Sequence, residues 1–408
     1  MSAGRRRVAP MVLVLAVVMA ATCVAQAFGR FTYGIVLPAV RDDLLGSNRT
    51  AGLVGTLNVG AYLAGTLAVA AISTRLRPVA LVRLGLCLST SGLLLASQAE
   101  RAPALAAGLV VTGLGGAAIW IPSPRLAAAV LPPHRRGFAA GLVGTGMGAG
   151  LVLAGWLADV LRTDAGGVAW RDVYRVEGAV GVVVLVATLL VLRDEERVAP
   201  VPGPGAGFGG FAALRRIDGW LALALAYASF GFMYLLVFAF LVARLEDDAG
   251  FSPAEASALF SAVGVAAACG GLLLGPLSDR VGRPKVLVAS FCAFGLSTLA
   301  FLTGDQPWVA LAAVGAGISF SGVPTVIAAY VVDATDASTY GPVFSGATLA
   351  FGVAQMAAPQ VGGLLADWRG SFTSVFLLSA AVAAVGAVLS SRLPVAREAE
   401  APVADPIL

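Results

Sequence analysis

The stretch GPLSDRVGRPKVLV (Gly275–Val288) is a short basic knot between two apolar runs. A reduced version of it, STRLRPVALV (Ser73–Val82), lies about half a chain earlier with the same R-P-x-x-L-V order. A second pair keeps nearly the same offset: LAGWLADV (Leu153–Val160) and VGGLLADW (Val361–Trp368). Two matched pairs at one spacing point to a chain built from two related halves.

Composition says what the halves are made of. The 408 residues are 58% hydrophobic and 12% charged, with mean hydropathy +0.88. Soluble domains carry about 25% charged residues, so a soluble protein is excluded. Apolar runs of about 20 residues recur, each able to cross a hydrocarbon core of ~30 Å. They are continuous, unlike the alternating strands of a membrane barrel. Runs bounded by Gly, Pro and charge clusters give twelve spans: Pro10–Pro38, Ala51–Ile72, Val79–Ser97, Pro103–Leu131, Gly137–Leu161, Val173–Leu192, Trp220–Val242, Pro253–Leu277, Pro284–Leu302, Trp308–Val332, Gly341–Ala366 and Phe372–Leu389. The one long segment rich in Pro, Gly and charge, Arg193–Gly219, splits them six and six. The expected organisation is a six-helix bundle over 1–192, a cytoplasmic linker over 193–219, and a second six-helix bundle with a short cytoplasmic tail over 220–408.

The N-terminus has the layout of a secretory signal, with Arg5, Arg6 and Arg7 before an apolar core and VAQA ending at Ala27. The apolar run continues to Pro38, so it reads as the first span. With that end inside, roughly 16 Lys/Arg fall on the cytoplasmic side and roughly 8 outside, the bias expected of membrane proteins. Both termini are then cytoplasmic. The net charge of +4 is almost all arginine, Lys285 being the single lysine. These charges sit in loops between apolar runs and imply no nucleic-acid partner. Cys23, Cys87, Cys269 and Cys292 all lie in apolar segments and read as small buried hydrophobes. His134 is the single histidine, which argues against a histidine metal site, and no cofactor is expected. Nothing resembles the convergent nucleophile, base or metal cluster of an enzyme.

GPLSDRVGRPKVLV matches G-x-L-x-D-R-x-G-R-[RK]-x-x-L apart from the proline at 284, and on these residues the chain resembles the major facilitator superfamily. Gly275 permits close helix packing and Gly282 a turn, while Asp279 can accept from Arg280, Arg283 or a helix N-terminus. The five form a candidate conformational latch. The first-half counterpart has lost the aspartate and both glycines. TGLGGAAIW (Thr112–Trp120) resembles the family's fourth-helix glycine motif, with Leu109 where an arginine is usual, so that arginine's proton-transfer role does not carry over. GTGMGAGLVLAGWLA (Gly144–Ala158) resembles the fifth-helix motif of family exporters without its proline. Its Gly144/Gly148 and Gly146/Gly150 spacing suits close helix packing. GRFTYGIVLP, AYASFGFMY (Ala226–Tyr234) and FGVAQMAAP (Phe351–Pro359) look most like the YbfB/YjiJ-type branch. The resemblance implies an all-α fold of twelve transmembrane helices in two pseudo-symmetric bundles. It also implies alternating access in a bacterial inner membrane, as a monomer; it implies no particular ligand.

Three arginines fall inside spans. Arg83, one turn from its cytoplasmic end, reads as snorkelling to headgroups; Arg125 either snorkels or lines a cavity. Arg30 lies eight residues before Pro38, ~12 Å along a helix, near mid-depth. An arginine there costs about 2.5–3.5 kcal/mol on insertion scales and so faces a cavity or a partner. Gln26, Arg30 and Tyr33 share one helical face. Asn58, Tyr62, Trp120, Tyr227, Tyr234 and Gln355 are candidate neighbours in a solute site that also includes Arg125. No Asp or Glu falls at mid-depth; Asp159, Glu177, Asp333 and Asp367 lie near helix ends, and Glu177 and Asp333 are weak candidates for a coupling group. The expected function is secondary transport of a small anionic solute across the lipid bilayer, with Arg30 as its charge partner. Export of neutral or amphiphilic compounds, as in drug efflux, is the alternative, and a non-transporting membrane sensor a distant third.

Overall fold

The computed structural model describes residues 10–73, 75–132, 136–164, 169–193, 209–336 and 339–394. The Arg5–Arg7 cluster, His134, Arg135, most of the 193–219 segment and the end of the tail lie outside the described residues. Those described contain no strand.

Among the described residues, twelve helices carry the fold: α1 (Met11–Leu45), α2 (Asn48–Ile72), α3 (Pro78–Ser97), α4 (Ala102–Ala129), α5 (Arg136–Asp164), α6 (Trp170–Val191), α7 (Trp220–Asp248), α8 (Pro253–Val281), α9 (Arg283–Ala300), α10 (Trp308–Asp333), α11 (Tyr340–Arg369) and α12 (Thr373–Ser391). Eleven are long and apolar enough to span a membrane. The remaining one, α9, has 18 residues and opens on Arg283 and Lys285, which dilute its hydropathy. A short helix, Gly209–Leu214, precedes α7.

The helices overrun the apolar runs because a helix stops where its backbone turns, not where its first charge appears. α1 passes Pro38 and ends in a π-helical turn, Arg41–Leu45, before Gly46 at φ 72°. α7 ends the same way, with a π turn over Arg244–Asp248. α8 starts at a capping box: the Ser252 hydroxyl accepts from the Glu255 amide while the Glu255 carboxylate accepts from the Ser252 amide. Between α8 and α9, Gly282 takes φ 102°, a conformation that excludes side chains.

The internal repeat reappears as two equivalent seams between the bundles. α5 packs along α8 and α11 along α2. Gly148 faces Ala268 and Gly155 faces Ser257 and Ser261. In the other seam, Gly52 abuts the Pro359 backbone and Gly363 abuts Asn48. Gly146 and Gly150 instead face Met19, Thr22, Cys23 and Ala27 of α1, so the small-residue motif in α5 serves two neighbours at once.

Bonds between the bundles gather toward the face that carries the α1–α2 loop. Arg41 pairs with Asp247 of α7. Asp367 at the end of α11 accepts from the backbone amides of Asn48 (3.0 Å) and Arg49 (2.7 Å), placing a carboxylate on the N-terminus of α2. Thr56 donates to the Met356 carbonyl at 3.0 Å and accepts from the Gln360 amide at 3.2 Å. Gly34 of α1 lies directly against the backbone of Phe238 and Ala239. This face is closed.

Two expectations change. Arg83 does not snorkel: its Nη2 donates to the Leu192 carbonyl at 2.7 Å and so caps the end of α6. Of the cysteines, all free, Cys23 is buried, while Cys87, Cys269 and Cys292 are exposed on helix surfaces with leucines and valines such as Leu296 and Val265. Those surfaces suit a lipid environment, where apolar exposure carries no penalty.

Because no side chain fits between Gly52 and Pro359, Gly52→Leu is expected to prise α2 from α11. A T56C reporter should then gain severalfold in labelling by a membrane-impermeant maleimide, read by peptide mass spectrometry.

Candidate functional site

The first helix is not a regular α-helix. From Cys23 to Phe31 it is wound as a π-helix, with the Thr32 amide bonded to the Ala27 carbonyl five residues back. Such widened turns leave carbonyls poorly satisfied, and side chains from neighbours supply the donors. The Gly29 carbonyl accepts from Asn58 Nδ2 and from Thr112 Oγ1, both at 3.0 Å. Asn58 Nδ2 also lies 2.7 Å from the Leu109 carbonyl and 3.1 Å from Thr112 Oγ1. α4 packs at this turn, with Thr112 Cβ 3.5 Å from where a Gly29 Cβ would stand, an ordinary contact distance.

The widened turn carries Gln26 and Arg30. Arg30 Nη1 donates to Gln26 Oε1 at 3.0 Å, and Gln26 Nε2 lies 3.4 Å from the Tyr62 hydroxyl. The guanidinium stands 4.2 Å from the centre of the Tyr62 ring, a cation–π contact. Across the seam, the Tyr234 hydroxyl of α7 lies within hydrogen-bonding reach of the Arg30 guanidinium, and Gln355 of α11 donates to that hydroxyl. Two polar side chains from the second bundle thus meet the Gln26–Arg30–Tyr62 group from the first. Behind Tyr234 stands an aromatic wall: Phe230 stacks on it at 5.0 Å, Phe320 lies 5.0 Å away, and Tyr227 stacks on Phe351 at 4.6 Å.

Arg30 Nε and Nη2 are buried without a hydrogen-bond partner. No carboxylate forms an ion pair with Arg30 among the described residues. Beside it lies a cavity of about 20 Å³, lined by Arg30, Tyr33, Gly34, Asn58, Phe238 and Pro359 among others. That is room for about one water.

The other sequence candidates are placed differently. Tyr33 borders this cavity, but its hydroxyl donates to the Ala51 carbonyl at 2.8 Å. Asn58 also borders it, with its amide engaged as described. Trp120 ends the first part of α4, before a break at Ile121–Pro122, and is half-buried. Arg125 lies beyond that break, exposed, with nothing joining it to the Arg30 group. Sequence reading missed Thr112, and it missed the burial of Glu177 in α6, which is wholly inaccessible and bonded to Thr32. The signal for the widened turn was Gly29 in an apolar helix flanked by residues able to bond its carbonyls.

The loop motif forms a second cluster within the second bundle. Arg283 bonds Asp279 (2.5 Å), Asp333 of α10 (2.9 Å) and Ser278 Oγ (2.6 Å). Gly275 lies 3.5 Å from Thr325 at the position of its missing Cβ, and Arg280 is exposed. The cluster ties α8, α9 and α10 together; among the described residues it makes no bond to the first bundle.

The sequence profile of the family described as uncharacterised MFS-type transporter YbfB matches residues 22–391. The chain belongs to the major facilitator superfamily. Members of this superfamily are transporters, not enzymes. Among curated relatives, a gallate transporter of Pseudomonas putida is 28% identical over 156 residues, 36% of this chain and 33% of that protein. The match thus spans about a third of the relative's length. Among solved structures, a mutant of the nucleoside transporter NupG superposes with TM-score 0.77 at 14% identity, covering 93% of this chain and 98% of that one. A bacterial homologue of the human lysosomal transporter Spinster, solved inward-facing and unoccupied, gives 0.68 at 16% identity, covering 93% and 94%.

Asn58 acts as a staple among α1, α2 and α4, so Asn58→Leu leaves the Gly29 and Leu109 carbonyls short of a donor. A loss of about 1–3 kcal/mol is expected, seen as a lower melting temperature in detergent. The Asp279–Arg283 pair is largely exposed on the aspartate side (59%), and Arg283 keeps Asp333. Asp279→Asn should therefore cost at most about 1 kcal/mol in the same melt.

Proposed function

We propose that the chain transports a small anionic solute across a bacterial inner membrane by alternating access, with Arg30 as the charge partner. The observation carrying this reading is the pair of buried, unpartnered Arg30 nitrogens with no carboxylate paired to them. A buried cation left in that condition is costly, and an anion presenting two oxygens would satisfy both N–H groups. Gln26, Tyr62, Tyr234 and Gln355 would orient it.

In this reading the loop arginine bias sets both termini in the cytoplasm, which makes the closed α1–α2 face periplasmic. The site then opens outward when Arg41–Asp247 and the Asp367 cap let go. The halves 1–192 and 220–408 move as the two bodies of a monomer, and the Arg283 cluster stiffens the inner end of the second. A gallate-transporting relative, gallate being an aromatic carboxylate, supports including aromatic acids among the solutes. The aromatic wall behind Tyr234 equally favours the second reading, export of neutral or amphiphilic compounds.

The two readings part in a binding measurement on protein in proteoliposomes, using acetate, benzoate, phosphate and the neutral benzamide as probes. Under the anion reading Arg30→Gln weakens the best-bound anion by about 10–100-fold, the worth of hydrogen bonds to a charged group. Arg30→Lys keeps part of that affinity, and benzamide is indifferent to both. Anion binding unchanged by Arg30→Gln overturns the anion reading, and benzamide binding as well as benzoate favours the second.

A further inference from the structure

The rings beside Arg30 continue in a row along the second bundle. On α11, Phe344, Phe351 and Gln355 share one helical face, at i, i+7 and i+11. On α7, Tyr227, Phe230 and Tyr234 form the face that meets them. The row starts at Tyr340, the first residue of α11, whose ring stacks on Phe344 at 5.6 Å. It ends at Gln355, bonded to the Tyr234 hydroxyl beside Arg30.

These rings are turned alike. Phe351 lies 4.6 Å from Tyr227, 6.0 Å from Phe230 and 6.1 Å from Tyr234, at interplanar angles of 27°, 18° and 12°. Further along α7, Phe238 meets Phe31, Phe260 and Phe320 edge-on instead, at 70°, 62° and 60°. Edge-on rings fill a core, and Phe238 is buried. Parallel rings end in a flat face that can take one more ring, and Phe351, Phe344 and Tyr340 are only half-buried. Gly231 makes the seat for Phe351: a Cβ there would stand 2.9 Å from its Cδ2. The ring therefore rests on bare α7 backbone, held in one orientation before any ligand arrives. Such preorganisation lowers the cost of stacking.

Tyr234 joins this surface to the charge. Its hydroxyl is within reach of Arg30, whose Nε and Nη2 lack partners, and its ring lies nearly parallel to Phe351. A donor pair for an anion and a flat apolar face thus stand a single side chain apart. A carboxylate borne on an aromatic ring presents the same two ends in the same order. We propose that Phe351 is a specificity-determining residue of the solute site: it stacks on a planar ring whose carboxylate Arg30 binds, so the solutes are arenecarboxylates rather than anions at large. The proposal rests on the anion reading and adds the ring to it. A saturated ring of the same size buries similar area but cannot lie flat against Phe351, which makes planarity the property selected.

The test is calorimetric binding to the protein in lipid nanodiscs, with acetate, benzoate, cyclohexanecarboxylate and benzamide as probes. Wild type should bind benzoate about 2–10-fold more tightly than cyclohexanecarboxylate, the worth of an aromatic pair beyond its area. Phe351→Leu should remove that preference while leaving acetate affinity as it is, and Phe351→Tyr should keep it. Wild type without the preference overturns the proposal, whether it binds both ring acids or neither. So does a preference that survives Phe351→Leu. Loss of acetate together with benzoate in Phe351→Leu also overturns it, since the ring then only props the site. Arg30→Gln keeps the two readings apart. If it weakens acetate and benzoate alike and Phe351→Leu changes nothing, the ring seat falls and the anion site stands. If benzoate and benzamide bind equally, ignore Arg30→Gln and both weaken in Phe351→Leu, the anion reading falls and the ring seat stands.

Discussion

A helix wound loosely from Cys23 to Phe31 must find donors for carbonyls that its own backbone no longer serves, and much of the site follows from that need. Asn58 and Thr112 answer for Gly29, and in doing so they fasten α2 and α4 to α1. The same turn aims Arg30 at the seam between the bundles and Thr32 at α6. One backbone irregularity thereby sets a guanidinium on one side of α1 and a carboxylic acid on the other. In a membrane such an irregularity persists only where protein supplies the missing hydrogen bonds.

The two bundles bring unlike surfaces to the seam. The first offers polar groups, with Gln26 and Tyr62 holding the guanidinium. The second offers Tyr234 and Gln355 in front of stacked rings. This division is compatible with close packing because glycines carry the contacts elsewhere: Gly34, Gly52, Gly148 and Gly155 let helices meet at their backbones. Aromatic bulk then collects where the centre must be filled.

The fold was legible because its cause is crude: apolar length and a repeated basic loop suffice to set helix number and the division into halves. The seams were partly legible, since LADV and LADW mark the ends of the two helices that cross between bundles. Side-chain roles were not. A wheel of 3.6 residues per turn puts Gln26, Arg30 and Tyr33 in one stripe, whereas the π turn shifts the register and Tyr33 goes to the α2 backbone. Glu177 looked peripheral because depth was measured along its helix, seven residues from the start. Its burial comes from lateral packing against α1, which no count along one segment reports. Arg83 was misjudged for the same reason, its partner being the end of another helix.

Arg41 and Arg244 stand at equivalent places, each opening the π turn that ends the first helix of its half. Arg41 reaches across to Asp247, while Arg244 turns inward to the Leu302 carbonyl at 3.0 Å and to Asp248. Both arginines stand on the same face, so interchangeable halves would tie that face twice, once from each bundle. Here the duplicates have diverged: Arg41 reaches across the seam while its twin is spent within its own half.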